Sequence, residues 1–199
     1  MTSTLLDILG VKQNPNKLKE SALIIVDAQR EYLDGKVPLH GMKESIAEIR
    51  KLLDRARKVG APVYFIRHSA GAGAAAFDPN SQSFQIVDEL KPEDGEQIID
   101  KNYPSSFGKT DLHDRLQKAG LNKLIVTGYM THGCISATVR TGAELGYACT
   151  VVADACGTRD LPAADGTIVK AQQVHNAELA ALKDIFATIV PSGENIADS

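Results

Sequence analysis

The stretch "KLIVTGYMTHGCISATVRTGAELGY" (123–147) holds the pattern from which the rest of the chain can be read. Its first part, "KLIVTG" (123–128), is a short run rich in Val and Ile, continuously apolar rather than alternating. That is the signature of a strand covered on both faces. A helical pattern begins near Thr131, runs to about Leu145 and is closed by Gly146. Strand and helix thus follow one another within 25 residues.

The same alternation recurs on either side. "ALIIVDA" (22–28), "PVYFIRH" (62–68), "EQIIDK" (96–101), "ACTVVAD" (148–154) and "FATIV" (186–190) read as strands. In "MKESIAEIRKLLDRARKVG", Met42, Ile46, Ile49, Leu53, Ala56 and Val59 recur at helical spacing, and Gly60 ends the pattern. Leu112 and Leu116 mark a further helix closed by Gly120, and a last one spans roughly Thr167 to Lys183. Such βαβα order predicts an α/β fold, a three-layer α/β/α sandwich on a mainly parallel sheet. The 199 residues suit a single domain, with a core over about 21–190 and residues 1–20 as an N-terminal extension.

Composition narrows the function. A net charge of −3 argues against nucleic acid or an anionic membrane as a partner. No apolar run approaches a membrane span, and "MTSTLLDILGVKQ" has no basic leader. Cys134, Cys149 and Cys156 form an odd set without staple-like spacing. A reducing, cytoplasmic setting is therefore expected.

In open α/β sheets, ligands bind outside the carboxyl ends of the strands, where strand order reverses. The polar residues at those ends are Asp27, His68, Lys101, the "THGC" segment ending at Cys134, and Asp154. Cys134 falls in the opening turn of a helix, whose dipole favours a thiolate. His132 is two residues away and would not face Cys134 on a helix. Asp27 follows "LIIV" at the end of the first strand, where a carboxylate is costly unless hydrogen-bonded, paired or used. A lysine at 101 near both would hold them as anions. His40, His68, His113 and His175 are scattered, and "IRHSAG" offers no adjacent acid, so no metal site is expected. "GAGAAAF" (71–77) resembles a dinucleotide fingerprint, but Asp78-Pro79 breaks it where a crossover helix should begin. It reads as a loop over the pocket, and no cofactor is expected.

These residues, in this order, resemble the isochorismatase-like cysteine hydrolases, which include nicotinamidases, carbamoylsarcosine amidase-like enzymes and isochorismatases. The matching motifs are "ALIIVDAQREYLDG", "DKNYPSSFGKTDL" and "VTGYMTHGCISATVRTGAELGY", with "VVADACGTR" and "VHNAELAALKDIFATIV" following. The resemblance implies a six-stranded parallel sheet and a catalytic triad of Asp27, Lys101 and Cys134. It also implies a cis peptide at Tyr129–Met130, with the Met130 and Cys134 N–H groups forming an oxyanion hole. Motif position suggests Gln29, Tyr32, His68, Tyr103, Phe107, Tyr129 and His132 as substrate-binding residues. The Asp-x-His metal motif of nicotinamidases is missing from "IRHSAG", which speaks against a catalytic metal. The implied activity is metal-independent hydrolysis of a small-molecule amide C–N bond through a thioester. Its alternatives are vinyl ether hydrolysis of the isochorismatase type and a non-catalytic binding or scaffold role. The resemblance further implies a homo-oligomer, dimer or tetramer.

Overall fold

A computed structural model describes residues 2–199 of the chain. In chain order the elements are α1 (Leu5–Ile8), β1 (Ala22–Val26), α2 (Met42–Val59), β2 (Val63–His68), β3 (Gln97–Lys101), α3 (Leu112–Lys118) and β4 (Lys123–Tyr129). They continue with α4 (Ser136–Glu144), β5 (Ala148–Gly157), β6 (Leu161–Pro162), β7 (Ile168–Val169), α5 (Ala171–Ile185) and β8 (Ala187–Val190).

Six strands form one sheet in the order β3-β2-β1-β4-β5-β8, and β6 and β7 make a separate small hairpin. All five pairings in the large sheet are parallel. Alternate strand residues feed opposite faces, as the two-residue period of a strand requires. Leu23, Ile25, Val63, Phe65, Ile125 and Val152 pack with Met42, Ile46, Ile49, Leu53 and Ala56 of α2. Ala22, Ile24, Val26, Ile66, Leu124, Val126 and Val151 pack instead with Leu112, Leu116, Val139, Leu179 and Leu182 from α3, α4 and α5. Both faces of the central strands are thus dry, which explains why they read as continuous apolar runs. At roughly 1.5–3 kcal/mol for each fully buried large aliphatic side chain, these two layers dominate the folding free energy.

The segments departed from the sequence pattern in three places. The helix expected from Thr131 opens instead with a wide turn, Thr131–Ile135, before α4. Ile135 N–H bonds to Met130 C=O at 3.2 Å, five residues back, which is π-type geometry. The strand expected to stop at Asp154 runs on to Gly157, and the helix expected from Thr167 starts at Ala171 because β6 and β7 take the preceding residues. On the sheet edge, β3 alternates between buried and exposed positions, leaving Ile98 open.

Residues before β1 are tied down rather than trailing. The Asn16 side-chain amide donates to the Leu124 and Ala148 carbonyls at 3.1 and 2.7 Å, and its backbone N–H to Thr150 Oγ1 at 2.9 Å. Strand order reverses between β1 and β4, so the carboxyl ends of these neighbours border the crevice where a ligand belongs.

Candidate active site

Three chain segments meet at that crevice. Directly after β1, Asp27 adopts φ 51°, a left-handed conformation that Asp tolerates better than most residues. Its N–H still bonds to Ile66 C=O at 2.9 Å, while its own C=O accepts from Gln29 N–H at 2.7 Å. The chain therefore turns sharply at the strand end and leaves the carboxylate in the crevice. Lys101 is the last residue of β3, paired in register with His68 at the end of β2. Cys134 arrives from β4 through the wide turn.

That arrival depends on Gly128. Its φ is 115°, and a Cβ there would lie 2.0 Å from Val26 C=O. Only glycine lets β4 approach β1 this closely before the chain leaves the sheet. The β4–β5 register shifts between Val126 and Gly128, re-aiming the segment that follows. The Tyr129–Met130 peptide bond is cis.

Lys101 Nζ donates to Asp27 Oδ2 at 2.8 Å and to Cys134 Sγ at 3.2 Å. His68 Nδ1 lies 3.4 Å from the same nitrogen. Asp27 and Lys101 are buried completely, side chain against side chain. The second Asp27 oxygen, Oδ1, is buried with no hydrogen-bond partner. Asp27, His68 and Cys134 offer ligand atoms within 4.8 Å of one another, the arrangement of a cation site. The Lys101 ammonium group lies within hydrogen-bond distance of all three.

Desolvation sets the protonation states. Burial raises the Asp27 carboxyl above its ordinary range, opposed by the nearby Lys101 charge. Burial, reinforced by the Asp27 charge, pushes the Cys134 thiol up to about 12, against the pull of Lys101. The helix-dipole expectation of a resting thiolate is thus outweighed by burial. Cys134 therefore rests as a protonated thiol. His68 is pushed down to about 4 by burial first and by Lys101 second, so it is neutral at physiological pH. With Nδ1 facing an ammonium donor, its proton belongs on Nε2.

The remaining candidates divide by exposure. Gln29, Tyr32 and Tyr129 are 0–2% exposed. The Gln29 side chain is consumed by backbone: its Oε1 accepts from His68 N–H, and its Nε2 donates to the His68 and Phe84 carbonyls. It braces the end of β2. Tyr129 places its hydroxyl 2.6 Å from Ser45 Oγ, behind the site. Tyr103 lies exposed under Lys109, and Phe107 stacks on Tyr147 at 5.4 Å; neither bonds to Asp27, Lys101 or Cys134. His132 Nδ1 meets Thr158 Oγ1 at 2.6 Å rather than the Cys134 thiol.

Sequence reasoning had no means to find Glu31, Phe77, Thr158 or His175. Thr131 Oγ1 contacts His175 Nδ1 at 2.8 Å and donates to Gly157 C=O at 3.1 Å, anchoring the turn that carries Cys134. A cavity of about 710 Å³ adjoins this turn from behind, lined by His40, Ser45, Cys156, Thr158 and His175 among others; it does not contain Cys134. Cys149 and Cys156 are unpaired and buried, with Cys149 inside β5. Among the described residues, no helix is long and apolar enough to cross a membrane.

Comparison with known proteins followed the same lines. The family described as "Isochorismatase domain" matches residues 21–193. A "Secreted isochorismatase effector Isc1" from Verticillium dahliae is 37% identical over 96% of this chain and 97% of its own length. A crystal structure of an isochorismatase from Pseudomonas putida KT2440 superposes with a TM-score of 0.92 at 41% identity, covering 98% of this chain and all of that one. A streptothricin hydrolase from Streptomyces noursei is 32% identical over 72% of this chain, which spans about half of that protein's length (51%).

Proposed function

The chain belongs to the isochorismatase family of hydrolases, and from that premise we propose that it is a cysteine hydrolase cleaving the C–N bond of a small-molecule amide. The observation that carries this reading is the single Lys101 ammonium bonded to both Asp27 and Cys134. A buried base, a buried cation and a thiol in mutual contact are the parts that nucleophilic acyl transfer requires.

The raised thiol decides the order of events. Because Cys134 rests protonated, its proton moves to Asp27 as sulfur attacks the substrate carbonyl. Lys101 stabilises the negative charge passing between the two, in a site where water is excluded. The backbone N–H groups of Met130 and Cys134 receive the oxyanion of the tetrahedral intermediate. Collapse breaks the C–N bond, Asp27 returns its proton to the departing nitrogen, and a thioester remains. Water, deprotonated by Asp27, then attacks the thioester and restores the Cys134 thiol. Burial raises Asp27 and so makes it a stronger base for both steps. His68 and His132 border the substrate's space. A reducing, cytoplasmic setting suits three unpaired cysteines.

Ammonia release from a panel of small carboxamides tests the reading, with Cys134→Ala as control. Loss on the order of 10³-fold or more is expected. Turnover that survives Cys134→Ala excludes thioester chemistry. One observation favours a second reading: burial raises Asp27 toward a pKa suited to a proton donor, and a full-length relative is called an isochorismatase. In that case Asp27 protonates a vinyl ether, and hydrolysis of isochorismate persists in Cys134→Ala but not in Asp27→Asn.

A further inference from the structure

Glu31 is a carboxylate buried to 0% exposure that the proposed chemistry does not use. Its Oε1 accepts from Lys36 N–H at 2.6 Å. Its Oε2 accepts from Phe77 N–H at 3.2 Å and from Ser83 Oγ at 2.6 Å. One side chain thereby clamps the turn after β1 to both ends of the 77–83 segment. The clamp is built into the sequence: at Gly35 a Cβ would lie 2.5 Å from Glu31 Cα and 2.8 Å from Glu31 Oε1. Only glycine lets the turn close over the carboxylate.

The clamp holds Phe77 at φ 56°, a left-handed conformation that a bulky side chain avoids unless its surroundings impose it. In that position the Phe77 ring stands edge-on to His68 at 5.2 Å and to Tyr32 at 5.2 Å. Tyr32 continues to Tyr129 at 5.9 Å, just before the nucleophile's turn. His68 in turn contacts the Lys101 ammonium. An aromatic wall therefore runs from the triad's cation to the segment bearing Cys134. Tyr32 and Tyr129 are its buried backing; Phe77 and the neutral His68 keep partly open surface.

We propose that Phe77, positioned by Glu31, is a specificity-determining residue that selects a flat, uncharged, unsaturated or aromatic acyl group beside the carbonyl attacked by Cys134. The proposal rests on the acyl-transfer reading above. A half-open ring offers its face or edge to another π system; the Glu31 carboxylate beside it is already occupied by the Lys36 and Phe77 N–H groups and the Ser83 hydroxyl. A strongly hydrated acyl group loses its water against these rings without gaining hydrogen bonds from them.

The experiment labels Cys134 with two electrophiles, phenacyl bromide (flat, aromatic) and iodoacetamide (small, neutral). Each rate is divided by that reagent's rate with glutathione, and the site of labelling is read by peptide mass spectrometry. The wild type is expected to prefer phenacyl bromide by at least tenfold after this correction. Phe77→Ala and Glu31→Gln should reduce the preference to threefold or less, with iodoacetamide rates within threefold of wild type. Phe77→Tyr should restore it. A merely structural loss would move both reagents together. If Phe77→Ala does not fold, Phe77→Leu keeps bulk without the π face and is read in its place. A wild type without preference, or a preference that survives in Phe77→Ala or its Leu replacement, overturns the proposal. Alkylation needs no turnover, so a failure to release ammonia from any amide would sink the amidase reading while leaving this result legible.

Discussion

Replacing Lys101 by Met keeps the length of the side chain and removes its charge. In the wild type the ammonium is the counter-charge of a carboxylate that has no contact with water. Asp27 Oδ1 has no hydrogen-bond partner, so nothing else in the fold compensates. Leaving one member of a buried ion pair alone costs about 3–5 kcal/mol. The folded protein has one escape, which is to bind a proton at Asp27. Its folded-state pKa, already raised by burial, then rises further because the opposing Lys101 charge is gone. A group with a raised folded pKa gives stability that is complete below its unfolded pKa and lost as pH climbs toward the folded one. Within that window the unfolded chain has released the proton and the folded one has kept it. Stability of Lys101→Met should therefore fall by about 1.4 kcal/mol per pH unit, or about 2 kcal/mol between pH 6.5 and 8. That window lies below cysteine ionisation and above most histidine ionisation in the unfolded chain. Urea denaturation at three pH values measures it, alongside Asp27→Asn and the double variant. Asn tolerates the left-handed backbone at 27, so the double variant should regain part of the loss and show no slope. A loss below about 1 kcal/mol, or a slope that persists in the double variant, would refute a buried, mutually dependent Asp27–Lys101 pair.

Two further outcomes follow from the same geometry. The proposed chemistry needs Asp27 unprotonated, so kcat/KM should fall on the acid side with a one-proton limb. Burial raises that group, so the midpoint should lie above the ordinary Asp value of 3.8; the limb should persist in His68→Gln, and its disappearance there would assign it to the histidine. Gly128→Ala would set a Cβ 2.0 Å from the Val26 carbonyl, against a neighbouring strand that cannot yield. A loss on the order of 4 kcal/mol or more is expected in urea denaturation, and a stable, active Gly128→Ala protein would show that β4 can leave the sheet another way.

How far the sequence could be read depended on the range of each interaction. The strands were legible because burial on both faces forces unbroken apolar runs, and α2 because its buried stripe repeats at helical spacing and ends at Gly60, which takes φ 70°. The meeting of Asp27, Lys101 and Cys134 was legible once strand ends and motifs were combined, since parallel topology collects carboxyl ends on one rim. The wide turn at 131–135 was not, because five-residue hydrogen bonding has no side-chain period of its own. Nor was the difference between Gln29 as a substrate handle and Gln29 as a brace, since both readings put a polar residue after β1. Phe77 escaped for a related reason. It lies in a glycine- and alanine-rich loop whose path depends on Glu31, 46 residues earlier, as well as on hydrogen bonds within the loop.

The state of the thiol shows why position and environment must be weighed separately. Placement at the start of a helix favours a thiolate by the partial charge of a few N–H groups, typically 0.3–1 kcal/mol and at most about 2. Burial acts on the whole charge of the sulfur, and here it is the larger effect, leaving the thiol at about 12. An enzyme that kept a stable thiolate would also expose it to oxidants and stray electrophiles. On the proposed mechanism, a buried thiol beside a raised carboxylate gives up its proton as a bound electrophilic carbon receives the electron pair, and stays protonated otherwise. On this argument Lys101 is less a device for ionising Cys134 in advance than the fixed positive charge around which one proton moves, from sulfur to carboxylate and back.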